Sequence, residues 1–393
     1  MNPAPPPTPL RQDLRSEWLL DENVTFLNHG SFGATPRRVL DEQDRWRKRI
    51  EAEPVEILAR RRPELLDEAK RSIGQWLGMP ADDFGFVINA TEAVNAVLRS
   101  LELGPGDELL TTTHVYNAVR QAMRYAAARA NAAYREIDVP VPVGSAGEVE
   151  SAVVAALRGH TRLLVIDHVT SPTALLFPVE RIAAACAGRG IELLIDGAHA
   201  PGMLLLDVPA TGATYYAGNL HKWACAPKGT GFLWVRRDRQ SRVHPLTISH
   251  HLGEGLAREF GWQGTRDFSH WLAAPKAIEF MAEIGWERVR AYNHALAVWA
   301  QAMLCRHWRV RPISPIDGQM LGSMATVPLP PPLDRLDEPA VARLQQRLYS
   351  EFRVEVPVVR WADRTFVRPC CQVYNAAADY QRLADVISEV ASG

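Results

Sequence analysis

Lys222 lies in YAGNLHKWACAPKGTGFLWV (216–235), an apolar, glycine-containing stretch that leaves one strand-like run and returns at once to another. Burial disfavours the charged amine, and a desolvated lysine is a ready nucleophile for Schiff-base chemistry. A lysine before a tryptophan is also commonly a snorkelling surface residue. Two features favour the chemical reading: Asn219 and His221 precede Lys222 as polar groups with no helical face to occupy, and KGTGFLWV re-enters a buried strand. Lys228 is the competing lysine, but its KGTG setting reads as a tight turn.

DGAHAPG (196–202) supplies a carboxylate. Asp196 closes an apolar run, and ligand sites in open α/β sheets lie beyond the carboxyl ends of strands. An ionised Asp there needs a compensating cation. A protonated pyridine nitrogen would serve, and the pair would keep such a ring an electron sink. The plainer reading is a strand-end Asp that caps the next turn. His199 is either a core histidine or a hydrogen-bond partner for a ring hydroxyl; an Asp-x-x-His metal pair has no third and fourth ligands nearby. In NATEAVN (89–95) a short strand, FGFVIN, turns at Ala90-Thr91 into a helix. Amides at such a helix start favour an anion, although Thr91 and Glu92 also suit a plain N-terminal cap. Neither GxGxxG nor GxxxxGK[ST] occurs, so dinucleotide and P-loop readings lack their signature.

Elements that would position these groups follow from the apolar pattern. Runs at 107–113, 162–168, 191–197, 214–219 and 231–237 read as strands, alternating with helical stretches such as 91–101 and 178–190. Their apolar residues on both faces suit a buried parallel sheet. Beyond about residue 270 two long helical stretches (270–283 and 285–307) lead into proline-rich loops, the shorter strands SMATVP, RVEVPVV and FVRPCCQVYN, and a closing helix near 377–391. The expected fold class is α/β, a large domain (21–270) with a mostly parallel sheet plus a smaller C-terminal α+β domain (271–393). Residues 1–20, which begin MNPAPPPTPLRQ, read as a disordered or draped arm.

Composition narrows the function classes. The 393 residues are 47% apolar and 23% charged, with a net charge of −1. That balance belongs to a globular protein and offers no electrostatic argument for nucleic acid or an acidic membrane surface. No apolar run is long enough for a membrane span, and the N-terminus lacks the apolar core of a secretory signal. Five cysteines without a CxxC pair point to reduced thiols in a cytoplasm and to no zinc site.

Taken in order, LNHGSFGATP (27–36), THVYNAV (113–119), DHVTSPTALLFPVE (167–180), DGAHAPG, YAGNLHKW, QGTRD (263–267) and FVRPCCQVYN (366–375) resemble the class V aminotransferase family of fold-type I pyridoxal 5'-phosphate (PLP) enzymes. They are most similar to its isopenicillin N epimerase-like branch, from about residue 20 to the C-terminus. The resemblance implies a fold-type I PLP-dependent transferase fold with PLP held on Lys222. Asp196 would pair with the pyridine nitrogen and His199 would contact the ring hydroxyl. Ala90 and Thr91 would bind phosphate, helped by Asn219 and His221. Tyr116 would stack on the ring, with His114 as its nearest rival and a core tyrosine as the plainer role. Thr265 would reach the phosphate of a second subunit, which implies a homodimer. Arg368 would grip the substrate carboxylate, a natural match for its bidentate fork, unless it is a strand-end surface arginine. Asn28 and Ser171 are further substrate-side candidates.

The implied substrate is a small molecule, an amino acid or a derivative of one. Lys222, freed when the substrate amine takes its place, is the natural base for the α-proton. One quinonoid intermediate then leads to epimerisation, transamination or loss of a β-substituent. Epimerase-like chemistry comes first by resemblance; a C–S lyase acting on a cysteine conjugate or sulfoxide and an aminotransferase are the alternatives. A catalytically idle PLP-fold binding protein is a different class, and the joint presence of Asp196, Lys222 and Arg368 speaks against it. Cysteine desulfurases of this fold carry a nucleophilic cysteine upstream of the carboxylate arginine, whereas FRVEVPVVRWADRTF has none, and Cys370 and Cys371 sit in strand context.

Overall fold

The structure is a computed structural model that describes residues 5–11 and 13–392. Residues 1–4 and 12 of the expected arm lie outside the described residues. Within its described part Leu14 and Trp18 are buried, and the Trp18 indole donates to Ala34 O at 3.2 Å.

In chain order the strands are β1 (Thr25–Phe26), β2 (Phe84–Val87), β3 (Glu108–Thr112), β4 (Ala133–Ile137), β5 (Thr161–Asp167), β6 (Glu192–Gly197), β7 (Tyr215–Asn219), β8 (Gly231–Val235), β9 (Val327–Pro328), β10 (Val354–Glu355), β11 (Val358–Trp361) and β12 (Arg364–Val367). Seven of them form the central sheet, ordered β2-β8-β7-β6-β5-β3-β4. Leu164, Ile166, Leu193 and Ile195 face one hydrophobic core, and Leu163, Val165 and Leu194 face a second across the sheet. This two-sided burial is why these strands read as unbroken apolar runs.

The chain is α/β with a mostly parallel sheet and the fold-type I arrangement. β8 departs from the parallel pattern: it pairs antiparallel with both β7 and β2. Residues 220–230 join β7 to β8 without the crossover helix that a parallel neighbour needs. β4 escaped the pattern because AYREI is half-exposed and alternates too little. The C-terminal strands are shorter than the apolar runs suggested; β12 ends at Val367 because Pro369 cannot continue a ladder. β1 pairs parallel with β10, so the entry segment is tied to the end of the chain. Among the described residues no helix is long and apolar enough to cross a membrane.

Candidate active site

β5, β6 and β7 are parallel neighbours, and their carboxyl ends bring Asp167, Asp196 and Asn219 to one edge of the sheet. Beyond that edge lies a cavity of roughly 180 Å³ lined by these three residues together with Thr91, His199 and Lys222. Ala90, Tyr116, Ser171 and His221 also line it.

Lys222 projects from the 220–230 connection, which is closed at its base by Leu220 N–H donating to Thr230 O at 2.9 Å. Burial, seconded by the charge of Arg368, pushes its amine down to about 8 while Asp196 pulls the other way. Its Nζ lies 3.3 Å from His199 Nε2. On the far side of that ring the Trp223 indole N–H donates to His199 Nδ1 at 3.3 Å. An indole can only donate, so Nδ1 accepts and the proton of the neutral imidazole sits on Nε2. Burial, with the charges of Lys222, Arg368 and His29, holds His199 well below its ordinary value and therefore neutral. His199 thus presents a donor to the cavity.

Asp196 is 4% exposed and accepts from Ala198 N–H at 3.0 Å. Burial raises its carboxyl, opposed by that amide and by Lys222. A ring cation opposite it would relieve this cost, so the donor set fits a pyridinium.

The helix Ala90–Ser100 points its N-terminus at the cavity. Asn89 caps it by accepting from Glu92 N–H at 2.8 Å, and Asn219 Oδ1 accepts from Ala90 N–H, also at 2.8 Å. The Ala90 amide is therefore already committed, and Thr91 carries the first-turn amide and hydroxyl left for an anion. His221 donates from Nδ1 to Thr230 O at 2.9 Å and is held down to about 4, chiefly by burial. A phosphate beside its Nε2 would have to draw a proton there.

Tyr116 caps the helix Asn117–Ala130 and stands 46% exposed, free to present its ring face. His114 is not a rival: its nitrogens are bonded to Thr173 Oγ1 and Val139 O, both at 2.6 Å. Arg368 is buried just behind the wall. It donates to the carbonyl of Ser171, to Ser171 Oγ at 3.0 Å and to Ser31 Oγ at 3.4 Å, while its Nε has no partner among the described residues. A surface role for Arg368 is thereby removed. Asn28 does not reach the cavity: its amide donates to Glu355 Oε1 at 2.8 Å, and Ser31 and Phe32 line the wall instead. Thr265 is exposed and lies outside this cavity.

Several residues without a signal of their own complete the arrangement. Asp167 lies beside Asp196, paired with it in register across β5 and β6. His29 bridges the Lys222 carbonyl (2.9 Å) and the Tyr374 hydroxyl (2.8 Å), tying the lysine to the C-terminal segment. Gly33 makes that approach possible: at φ +68° a Cβ would lie 2.0 Å from His221 O. All five cysteines are buried and unpaired, and burial raises the Cys370 thiol, so none is presented as an exposed nucleophile.

A sheet of this topology with a half-buried lysine and a buried aspartate at its carboxyl edge defines a fold-type I PLP enzyme, and the cofactor is pyridoxal 5'-phosphate. The family model for Aminotransferase class-V matches residues 26–331, and the chain belongs to the class V aminotransferases. It is 35% identical to an isopenicillin N epimerase of Amycolatopsis lactamdurans, over 96% of this chain and 97% of that one. It is 31% identical to an L-cysteine desulfhydrase of Arabidopsis thaliana, over 96% of this chain and 90% of the relative. An apo cysteine desulfurase from Thermococcus onnurineus NA1 shares the fold with a TM-score of 0.79 at 16% identity, over 99% of this chain and 100% of that one.

Proposed function

We propose that this enzyme epimerises an amino acid or amino-acid derivative at its α-carbon. The observation that carries the reading is Lys222, a half-buried amine pushed down to about 8 and facing a neutral histidine donor in a cavity floored by Asp196. PLP, when bound, supplies the electron sink that makes an α-proton removable. Lys222 would hold the cofactor and serve as the base for the α-proton, its lowered pKa keeping a share of the amine neutral near pH 8. Asp196 would balance the ring nitrogen, and the Nε2–H of His199 would be a donor for the ring oxygen. Thr91, Asn219 and a protonated His221 would hold the phosphate, with Ala90 lining the site while its amide stays on Asn219, and Tyr116 would cover a ring face. Arg368, oriented by Ser171 and Ser31, binds the substrate carboxylate and gives its unpartnered Nε an acceptor.

Epimerisation is placed first on the full-length similarity to an epimerase. The similarity to a desulfhydrase supports a second reading, a C–S lyase in which the same base serves and a sulfur substituent departs from the β-carbon. Incubation of the holoenzyme with D-, L- and S-substituted amino acids, followed by chiral product analysis, separates the two. Inverted amino acid supports the first; keto acid, ammonia and a thiol support the second.

A homodimer belongs to the same proposal. Phe32 at the cavity is 73% exposed and nearby Ile88 is 43% exposed, apolar groups that a second copy would cover while bringing its Thr265 to the phosphate. The division into an arm (1–20), a large domain (21–270) and a small domain (271–393) is part of this reading, with β1 lent to the small domain through β10. Unpaired cysteines support a reducing, cytoplasmic setting.

A further inference from the structure

The register of β5 and β6 sets Asp167 directly beside Asp196. Neighbouring strands lie about 4.8 Å apart, and residues in register leave a parallel sheet on the same face. Both carboxyls line the cavity. Asp167 is only 2% exposed, and its Oδ2 has no hydrogen-bond partner among the described residues.

No cation around Asp167 is committed to it alone. Asp196 faces it from β6. From the helix Asn117–Ala130 and its cap come the Tyr116 amide and the charge of Arg120, but the Arg120 guanidinium is committed to Glu136 at 2.8 Å. His168 turns to the opposite face of the sheet and pairs with the Tyr216 hydroxyl of β7 at 2.9 Å. Lys222 feels both carboxyls, Asp196 more than Asp167, so its one charge is divided between them. Two ionised carboxylates would share one low-dielectric site with one ring cation, and like charges that close do not both ionise.

We propose that Asp167 is a positioning residue of the cofactor site, a neutral carboxylic acid that shares its proton with Asp196, so that the pair carries a single negative charge opposite a single pyridinium. The proposal rests on the reading of Asp196 as the ring-nitrogen partner. Burial and the charge of Asp196 both hold Asp167 well above the usual carboxylate range. A carboxylate has lone pairs for several donors. Asp196 accepts from Ala198 N–H on Oδ1 and retains capacity for both the Asp167 hydroxyl and the ring nitrogen. The Asp167 proton would thus fix the rotamer of Asp196 and temper the charge it offers the ring.

Asp167→Asn replaces the acid with an isosteric amide that still donates to Asp196. It is expected to retain cofactor within about threefold of wild type, whereas Asp196→Asn loses it by about a hundredfold or more, as when one partner of a buried ion pair is removed. An infrared difference spectrum of the holoenzyme near pH 8, wild type against Asp167→Asn, is expected to contain the carbonyl stretch of a protonated carboxylic acid that shifts in deuterium oxide. Should Asp167→Asn fail to fold, the wild-type enzyme with isotope-labelled aspartate shows the same band. Absence of that band in wild type, its survival in Asp167→Asn, or loss of cofactor by Asp167→Asn as severe as that of Asp196→Asn would each overturn the proposal. An error in the epimerase reading would instead change the products and leave the band in place.

Discussion

The cofactor wall of the cavity draws on three adjacent strands and one helix N-terminus, whereas the wall around Arg368 joins Ser31, Ser171 and Arg368 from remote parts of the chain. On the first wall most polar groups are already engaged: Asn219 with the Ala90 amide, His221 with Thr230 and His199 with Trp223. On the second, Arg368 is buried with Nε unpartnered, an arrangement that costs about 1–3 kcal/mol unless a ligand completes it. One wall is therefore a preformed cradle, and on the reading proposed above the other would be completed by the substrate. Variants in the first should act on cofactor retention and chemistry, and variants in the second on substrate affinity with cofactor retained.

The largest effect is expected at Lys222. Lys222→Ala removes both the covalent attachment and the base, so turnover should fall by about 10²–10⁴-fold or more, and borohydride should trap no cofactor on the protein. Covalent trapping that persists in this variant would point to another lysine, with Lys228 first in line.

Arg368→Lys probes the opposite wall. Lysine keeps the charge but not the planar fork, so kcat/KM is expected to drop about 30- to 1,000-fold, or 2–4 kcal/mol. Cofactor content and the colour of the resting enzyme should be unchanged. Equal substrate affinity in wild type and variant, at equal cofactor content, would remove Arg368 from the site.

The two walls were unequally legible in the sequence. Asp196, Asn219, His221 and Lys222 fall at or just past strand ends, where an apolar run stops at a polar residue, and parallel neighbours place such ends together. Asp167 obeys the same rule, yet a single strand-end aspartate carries no mark of the partner beside it. For the second wall, nothing local tells that Asn28 turns to Glu355 while Ser31 turns to Arg368; that choice is made by β1 pairing with β10, a contact between chain ends. The antiparallel β8 was hidden for a related reason, since strand direction depends on the connection and not on the composition of the strand.

A pH experiment sharpens the description of the cradle. The Lys222 amine moves from 10.5 in the unfolded chain to about 8 in the folded one, so the folded state gives up this proton first. Below pH 8 both states are protonated and burial of the charge is costly; stability then rises between pH 8 and 10.5 and levels off above. Urea unfolding of the apoenzyme should show a gain of about 3 kcal/mol across that window, absent from Lys222→Met. Parallel curves for the two proteins would mean that the amine is not desolvated.

Thr265→Ala is expected to weaken cofactor retention by about 1.5–3 kcal/mol, one charge-assisted hydrogen bond, with the loss growing as the protein is diluted into monomers. Full cofactor occupancy in a sedimenting monomer would contradict the role of a second subunit. The smallest effect belongs to Tyr374→Phe, which removes the donor to His29 behind Lys222. A cost of about 1 kcal/mol in thermal unfolding is expected, with little change in substrate affinity.

The most direct test of the account is exchange of the α-proton. Holoenzyme incubated in deuterium oxide with a panel of L-amino acids should place deuterium at the α-carbon of at least one of them. Part of the recovered amino acid should have inverted configuration, the β-substituent should be intact, and Lys222→Ala should abolish the exchange. Elimination of the β-substituent without any inverted amino acid would replace the epimerase reading with the lyase. Exchange that continues undiminished in Lys222→Ala would contradict the account at its centre.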